Sequence, residues 1–139
     1  SLIPKHEFVN DDLIILNSIT NLDKIRSFID NQDINQYMNF IVDRLFASNK
    51  YFNDQEPWKK KDDQVRLNTI IYTSLEIIRK ISILLYPIIP ESSLKALKIF
   101  NLEKDPIILE TISNNESLVK GNYFNKIDIL FNKIEKNND

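Results

Sequence analysis

The sequence predicts an all-α fold, an antiparallel helical bundle with an irregular C-terminal tail. Three observations predict it. Apolar residues recur at spacings of three and four almost throughout, capping residues stand in front of the periodic stretches, and a 139-residue chain that is 42% hydrophobic and 27% charged is long and apolar enough for one packed core.

A first helix is expected from Asn10 or Asp11 as N-cap to about Asp30, with Ile15, Ile19, Leu22, Ile25 and Ile29 on one stripe. Asn31 offers a left-handed stop. Asp33 caps a second helix, in which Ile34, Tyr37, Met38, Ile41, Val42, Leu45, Phe46 and Phe52 keep the spacing up to Pro57. At ~1.5 Å per residue this helix is roughly 35 Å long.

A third helix runs from near Asp62 to just before Pro87. Arg66, Thr69, Thr73, Glu76 and Lys80 form one polar line on it, and apolar residues fill the rest. So wide an apolar surface places this helix at the centre of the bundle. "IPESSLKALKIFN" gives a short fourth helix, with Pro90 at its first position and Asn101 past its end. Beyond Asp105 the pattern weakens into the irregular tail.

Composition excludes several classes of function. The chain has no cysteine, which removes disulfides, thiol catalysis and thiolate zinc sites. Its single glycine, Gly121, cannot supply a glycine-rich phosphate loop. His6 is the only histidine; without partners for a metal site or a Ser-His triad it is expected to be solvated or loosely packed. The run "ISILLYPIIP" is about half the ~20 residues of a bilayer span and is broken by Pro87 and Pro90. No membrane association is expected, and a cytoplasmic location is the default. Asp11-Asp12 and Asp62-Asp63 point about 100° apart on a helix, so they read as helix-start residues complementing the macrodipole. No catalytic constellation is found, and no metal site.

Charge is more informative by place than in total. The net charge is −2, yet residues 50 to 80 carry seven basic against five acidic side chains, while residues 1 to 49 carry four against seven. The positive balance centres on "EPWKKKDD", where the only Trp follows Pro57 at the end of a helix. Two readings of Trp58 stand at this point. The indole packs on the bundle and Pro57 holds it there, or it is a platform for an unstacked base, with Lys59, Lys60, Lys61 and Arg66 as phosphate contacts. The lysines alone read equally as a solvated corner.

The stretches "ASNKYFNDQEPWKKKDD", "LEIIRKISILLYPIIPESS" and "GNYFNKIDILFNKIE" resemble the C-terminal anticodon-binding domain of methionyl-tRNA synthetases, class I aminoacyl-tRNA synthetases. The N-x-Y…P-W element is the most specific part. The resemblance implies that Trp58 lies against the first base of a CAU anticodon and that Pro57 shapes its pocket. It also implies a parent methionine-tRNA ligase that uses ATP. The family's N-x-x-x-R pair is not found before Asn10, and its HIGH and KMSKS-type motifs and zinc knuckle are absent.

Residues 1–139 are therefore expected to be one anticodon-binding domain that lacks its opening helix and its catalytic domain. Leu13, Ile15 and Ile19 would then face water where that helix packs. No catalytic residue and no cofactor are expected in this chain; ATP with magnesium, and zinc as a further candidate, would belong to the catalytic half. The implied partners are the anticodon loop of tRNA-Met and the enzyme's own catalytic domain, with the protein a monomer. Two rival readings are the matching domain of a cysteine, leucine, isoleucine or valine enzyme, and a helical protein-interaction bundle with no RNA role.

Overall fold

The computed structural model describes residues 6–99 and 112–115, and every regular element in them is helical. In chain order these are α1 (Asn10–Ser18), α2 (Leu22–Asp30), α3 (Ile34–Gln55), a 3-10 turn (Pro57–Lys59), α4 (Gln64–Leu85) and α5 (Pro90–Ile99). The expected C-terminal tail and Asn101 lie outside the described residues. None of the described helices is long and apolar enough to cross a membrane.

The first expected helix is two. It breaks between Ser18 and Leu22, where polar side chains bond the local backbone: the Ser18 hydroxyl donates to the Ile15 carbonyl at 2.7 Å, the Thr20 hydroxyl to Asn17 at 2.9 Å, and the Asn21 side chain accepts the Lys24 N–H at 3.1 Å. Such bonds compete with the helical ladder and make Asn21 a new N-cap. The start also differs from expectation. Val9 is the N-cap, and Asp12 three positions on accepts the Val9 N–H at 2.9 Å. After α2 the left-handed residue is Gln32 (φ 52°), not Asn31.

The caps of the long helices match the sequence. Asp33 accepts the Gln36 N–H and Asp63 the Arg66 N–H, each at 3.1 Å. Glu56 closes α3 in a left-handed conformation (φ 48°, ψ 60°). Pro57, whose fixed φ suits a first helical position, then opens the 3-10 turn.

The core runs through Leu16, Ile19, Ile25, Ile41, Ile70, Leu84, Leu97 and Ile112, all fully buried. Each such side chain contributes about 1.5–3 kcal/mol by leaving water. Ile15 and Ile19 belong to this core and Leu13 is half-buried, so the expected water-facing strip is not found. α2 packs on α3. His6 is also more ordered than expected, stacking on the buried Tyr72 ring at 3.9 Å.

α4 is central, packing on α1, α3 and α5. Its polar line faces inward: Thr69, Thr73, Glu76 and Lys80 are buried. Buried charges need partners, and they have them. Arg79 bonds Glu76 at 2.9 Å and the Asn114 carbonyl at 2.6 Å. Lys80 donates to the Asn115 side chain and to the Leu16 carbonyl at the end of α1.

Candidate nucleic-acid interface

Trp58 sits on a corner that the backbone holds tightly. The Lys59 N–H donates to the Glu56 carbonyl at 2.9 Å, that of Lys60 to Pro57 at 3.0 Å, and that of Asp63 to Lys60 at 3.0 Å. Pro57 is buried beneath the turn, whereas Trp58 is 54% exposed. Among the described residues the Phe52 ring lies beside it, centroid to centroid at 6.3 Å and tilted by 58°. A cavity of about 330 Å³ opens beside the indole, lined by Phe52, Pro57, Trp58, Lys61, Leu67, Ile71 and Ser74. An exposed ring above an apolar hollow offers a face to stack on and a place for a flat ligand to go.

The four basic residues expected at phosphates divide. The Lys59 ammonium lies 2.8 Å from the Glu56 carboxylate, and this hydrogen bond and charge draw that carboxyl below its ordinary pKa. Lys61 stands on the cavity wall with no ion pair to any described residue, and Lys60 is half-buried beside it.

Arg66 is the exception. Its guanidinium grips the buried Asp12 carboxylate with two bonds, at 2.8 and 3.0 Å, and a third at 2.6 Å reaches the Gln55 side chain. The Tyr51 hydroxyl donates to the same carboxylate. Burial pushes the Asp12 carboxyl up, but the bonds from Arg66, Tyr51 and the Val9 N–H outweigh it and hold the group below its usual range. Arg66 thus joins α1, α3 and α4; where a phosphate contact was expected, its terminal nitrogens face a fixed anion of the fold.

Other hollows fit RNA less well. The largest described, about 590 Å³, lies at the far end of α3 between Phe28, Ile34, Tyr37 and Ile88 and has no cation on its wall. Another holds Lys24 and Arg44, but Lys24 lies 6.0 Å and Arg44 5.7 Å from the Phe40 ring centre, and Asp43 shares the wall. Only the Trp58 cavity, among these, combines an exposed ring with an unpaired cation.

Sequence reading missed Phe52, Leu67, Ile71 and Ser74 as parts of this site. Leu67, Ile71 and Ser74 follow one another at four and three, so they share a face of α4. That spacing was available; which neighbour the face looks toward was not.

Comparison with known proteins concerns the chain as a whole. The family described as the anticodon-binding domain of methionyl-tRNA ligase matches residues 8–139. Methionine–tRNA ligase of Mycobacterium leprae is 32% identical over 113 residues, covering 77% of this chain and 21% of that protein. The Phocaeicola vulgatus enzyme is 36% identical over 88 residues, covering 63% and 13%. Among solved structures, apo Mycobacterium tuberculosis methionyl-tRNA synthetase superposes with a TM-score of 0.66 at 30% identity, over 71% of this chain and 21% of that one. Its methionyl-adenylate-bound form gives 0.68 at 28% identity, over 76% and 23%. The chain spans about a fifth of the length of most of these relatives.

Proposed function

The chain belongs to the family of methionyl-tRNA ligase anticodon-binding domains, and on that premise we propose that its Trp58 corner receives the CAU anticodon loop of tRNA-Met. The observation that carries this reading is a half-exposed indole, fixed on a hydrogen-bonded turn, over a cavity with an unpaired lysine on its wall. A base unstacked from the loop lies on the ring, Pro57 shapes the seat, and Lys60 and Lys61 meet the backbone phosphates. Pro57 acts from below, by holding the turn that presents the ring.

The parent enzyme in this reading is a methionine-tRNA ligase, which joins methionine to its tRNA with ATP in a separate catalytic part. That part would be cytoplasmic, would supply ATP with magnesium and any zinc, and would be this domain's second partner. Among the described residues no group of three or more His, Cys, Asp or Glu is placed to hold a metal.

Titrating the intrinsic fluorescence of Trp58 with a CAU anticodon stem-loop, at two salt concentrations, tests the proposal. A single Trp makes the signal unambiguous. Quenching that needs the CAU loop and weakens as salt rises is the expected result. Quenching that is indifferent to the first anticodon base would support an RNA platform without that specificity. No quenching at either salt concentration would remove Trp58 from the RNA interface and favour a protein-binding role for the corner.

A further inference from the structure

Trp58 is presented by a turn that is strained where it begins. Glu56, between α3 and the 3-10 turn, has φ 48° and ψ 60°. A residue with a Cβ is crowded in that left-handed region, and such a conformation persists only where its surroundings enforce it. Downstream, the Lys59 N–H on the Glu56 carbonyl and the buried Pro57 hold the turn. Upstream stands Gln55, the last residue of α3, whose side chain is held on both sides. Its carbonyl oxygen accepts from Arg66 at 2.6 Å and its amide nitrogen donates to Asp11 at 3.2 Å. A guanidinium only donates and a carboxylate only accepts, so an amide, which does both, suits the place between them. Arg66 is fixed in turn by the buried Asp12 carboxylate.

We infer that Gln55 is a positioning residue for Trp58: it ties the end of α3 to the Asp12–Arg66 pair and so fixes the strained turn that carries the indole. This rests on the anticodon reading above and adds how the ring is kept ready for a base. The last turn of a helix has carbonyls with no partner inside the helix and frays readily. Without the tie, that turn is free to loosen, Glu56 is free to leave the left-handed region, and the direction of the indole changes with it. A ring that must be ordered on binding holds its ligand less tightly than one already in place. Gln55 thus acts on RNA through Trp58 without touching it.

The test uses the 139-residue chain and reads Trp58 directly, since it is the only Trp. Time-resolved fluorescence anisotropy separates fast local motion of the indole from tumbling of the whole protein. Gln55→Met, close in shape but without either hydrogen bond, should enlarge the fast component in the free protein. It should also weaken binding of the CAU stem-loop by about three- to tenfold, the usual worth of one hydrogen bond. The denaturation midpoint should move little, because Arg66 keeps both bonds to Asp12. Gln55→Glu keeps the acceptor for Arg66 but sets a second carboxylate against Asp11, and should loosen the indole as well. Adding Asp11→Asn to Gln55→Glu restores a donor there and should return both readouts towards those of the unmodified chain.

An unchanged fast component in Gln55→Met overturns the inference, as does a larger one with unaltered RNA affinity. A lowered midpoint with both readouts unchanged overturns it too, since Gln55 would then serve stability alone. If Gln55→Met does not fold, equal anisotropy in Gln55→Glu with and without Asp11→Asn overturns it. Trp58→Ala tests the level beneath. If it weakens RNA binding while Gln55→Met leaves the indole as ordered as before, the anticodon reading stands and the role of Gln55 falls. If it weakens nothing, the reading itself falls and takes this inference with it.

Discussion

Lys61 and Arg66 are five residues apart in sequence and opposite in use. Lys61 lies on the wall of an open cavity and makes no ion pair with a described residue. Arg66, one turn into α4, is half-buried and bonded through both terminal nitrogens to Asp12, itself fully buried. The same positive charge serves a partner in one place and the fold in the other. What separates them is the fixed anion: a cation whose partner is built into the core has its terminal nitrogens turned to the fold, and one on an apolar wall does not.

The sharpest way to break this comparison is Arg66→Ala. It strands a buried carboxylate, a change that typically costs about 3–5 kcal/mol. Against a total stability of about 5–15 kcal/mol for a domain, chemical denaturation should show the loss at once. Asp12 has a depressed pKa, so its contribution is present above the ordinary carboxylate value of 3.8 and is lost as pH falls below it. The acid limb of the stability curve should therefore flatten in the variant. An unchanged stability together with weakened RNA binding would return Arg66 to the interface.

Trp58→Ala should show the converse pattern. A ring that is 54% exposed has limited packing to lose, so the denaturation midpoint should move little. Affinity for the CAU loop should fall by about 1–3 kcal/mol, roughly five- to 150-fold. A large stability loss with unaltered RNA binding would instead make the indole part of the core.

Lys80 extends the comparison to a second buried cation, one facing polar groups rather than a carboxylate of its own. Burial, reinforced by the neighbouring Arg79 and opposed by Glu76, lowers its pKa to about 8. The unfolded chain then binds more protons than the folded one between about pH 8 and the ordinary value of 10.5, so stability rises with pH across that window. The gain is on the order of 3 kcal/mol. Tyr37, which burial raises to about 12, opposes it above pH 10 as the unfolded tyrosine ionises. Unfolding curves at pH 8 and 9.5 should show the rise in the unmodified chain and a smaller one in Lys80→Met.

These cases mark how far the sequence could be read. The long helices were legible because Asp33, Asp63, Pro57 and Pro90 punctuate an apolar spacing of three and four. The break at Ser18–Asn21 was not, because side-chain bonds to the local backbone leave that spacing intact. Periodicity also identified the polar line of α4 without saying which way it faces, since a face is defined by spacing but its neighbour by packing. That is why Arg66 was grouped with the lysines. In the candidate site, Pro57 and Trp58 are adjacent in sequence and stood out at a helix end, whereas Phe52 and Ser74 arrive from two different helices.

The finest distinction the comparison makes is between Lys59 and Lys61, two cations on one exposed corner. Lys59 is tied to Glu56, but that pair is open to solvent and screened by it, so neither Lys59→Gln nor Lys61→Gln should shift stability measurably. Salt dependence of RNA binding is where they part. Each phosphate neutralised on a single strand contributes about 0.7 to the slope of log affinity against log salt. Lys61→Gln should reduce the slope by about that amount. Lys59→Gln removes a charge already matched by Glu56 and should leave the slope nearly unchanged. Equal reductions would mean that the Glu56 pair opens when RNA arrives, and that a surface ion pair, unlike the one Arg66 makes, does not commit a lysine to the fold.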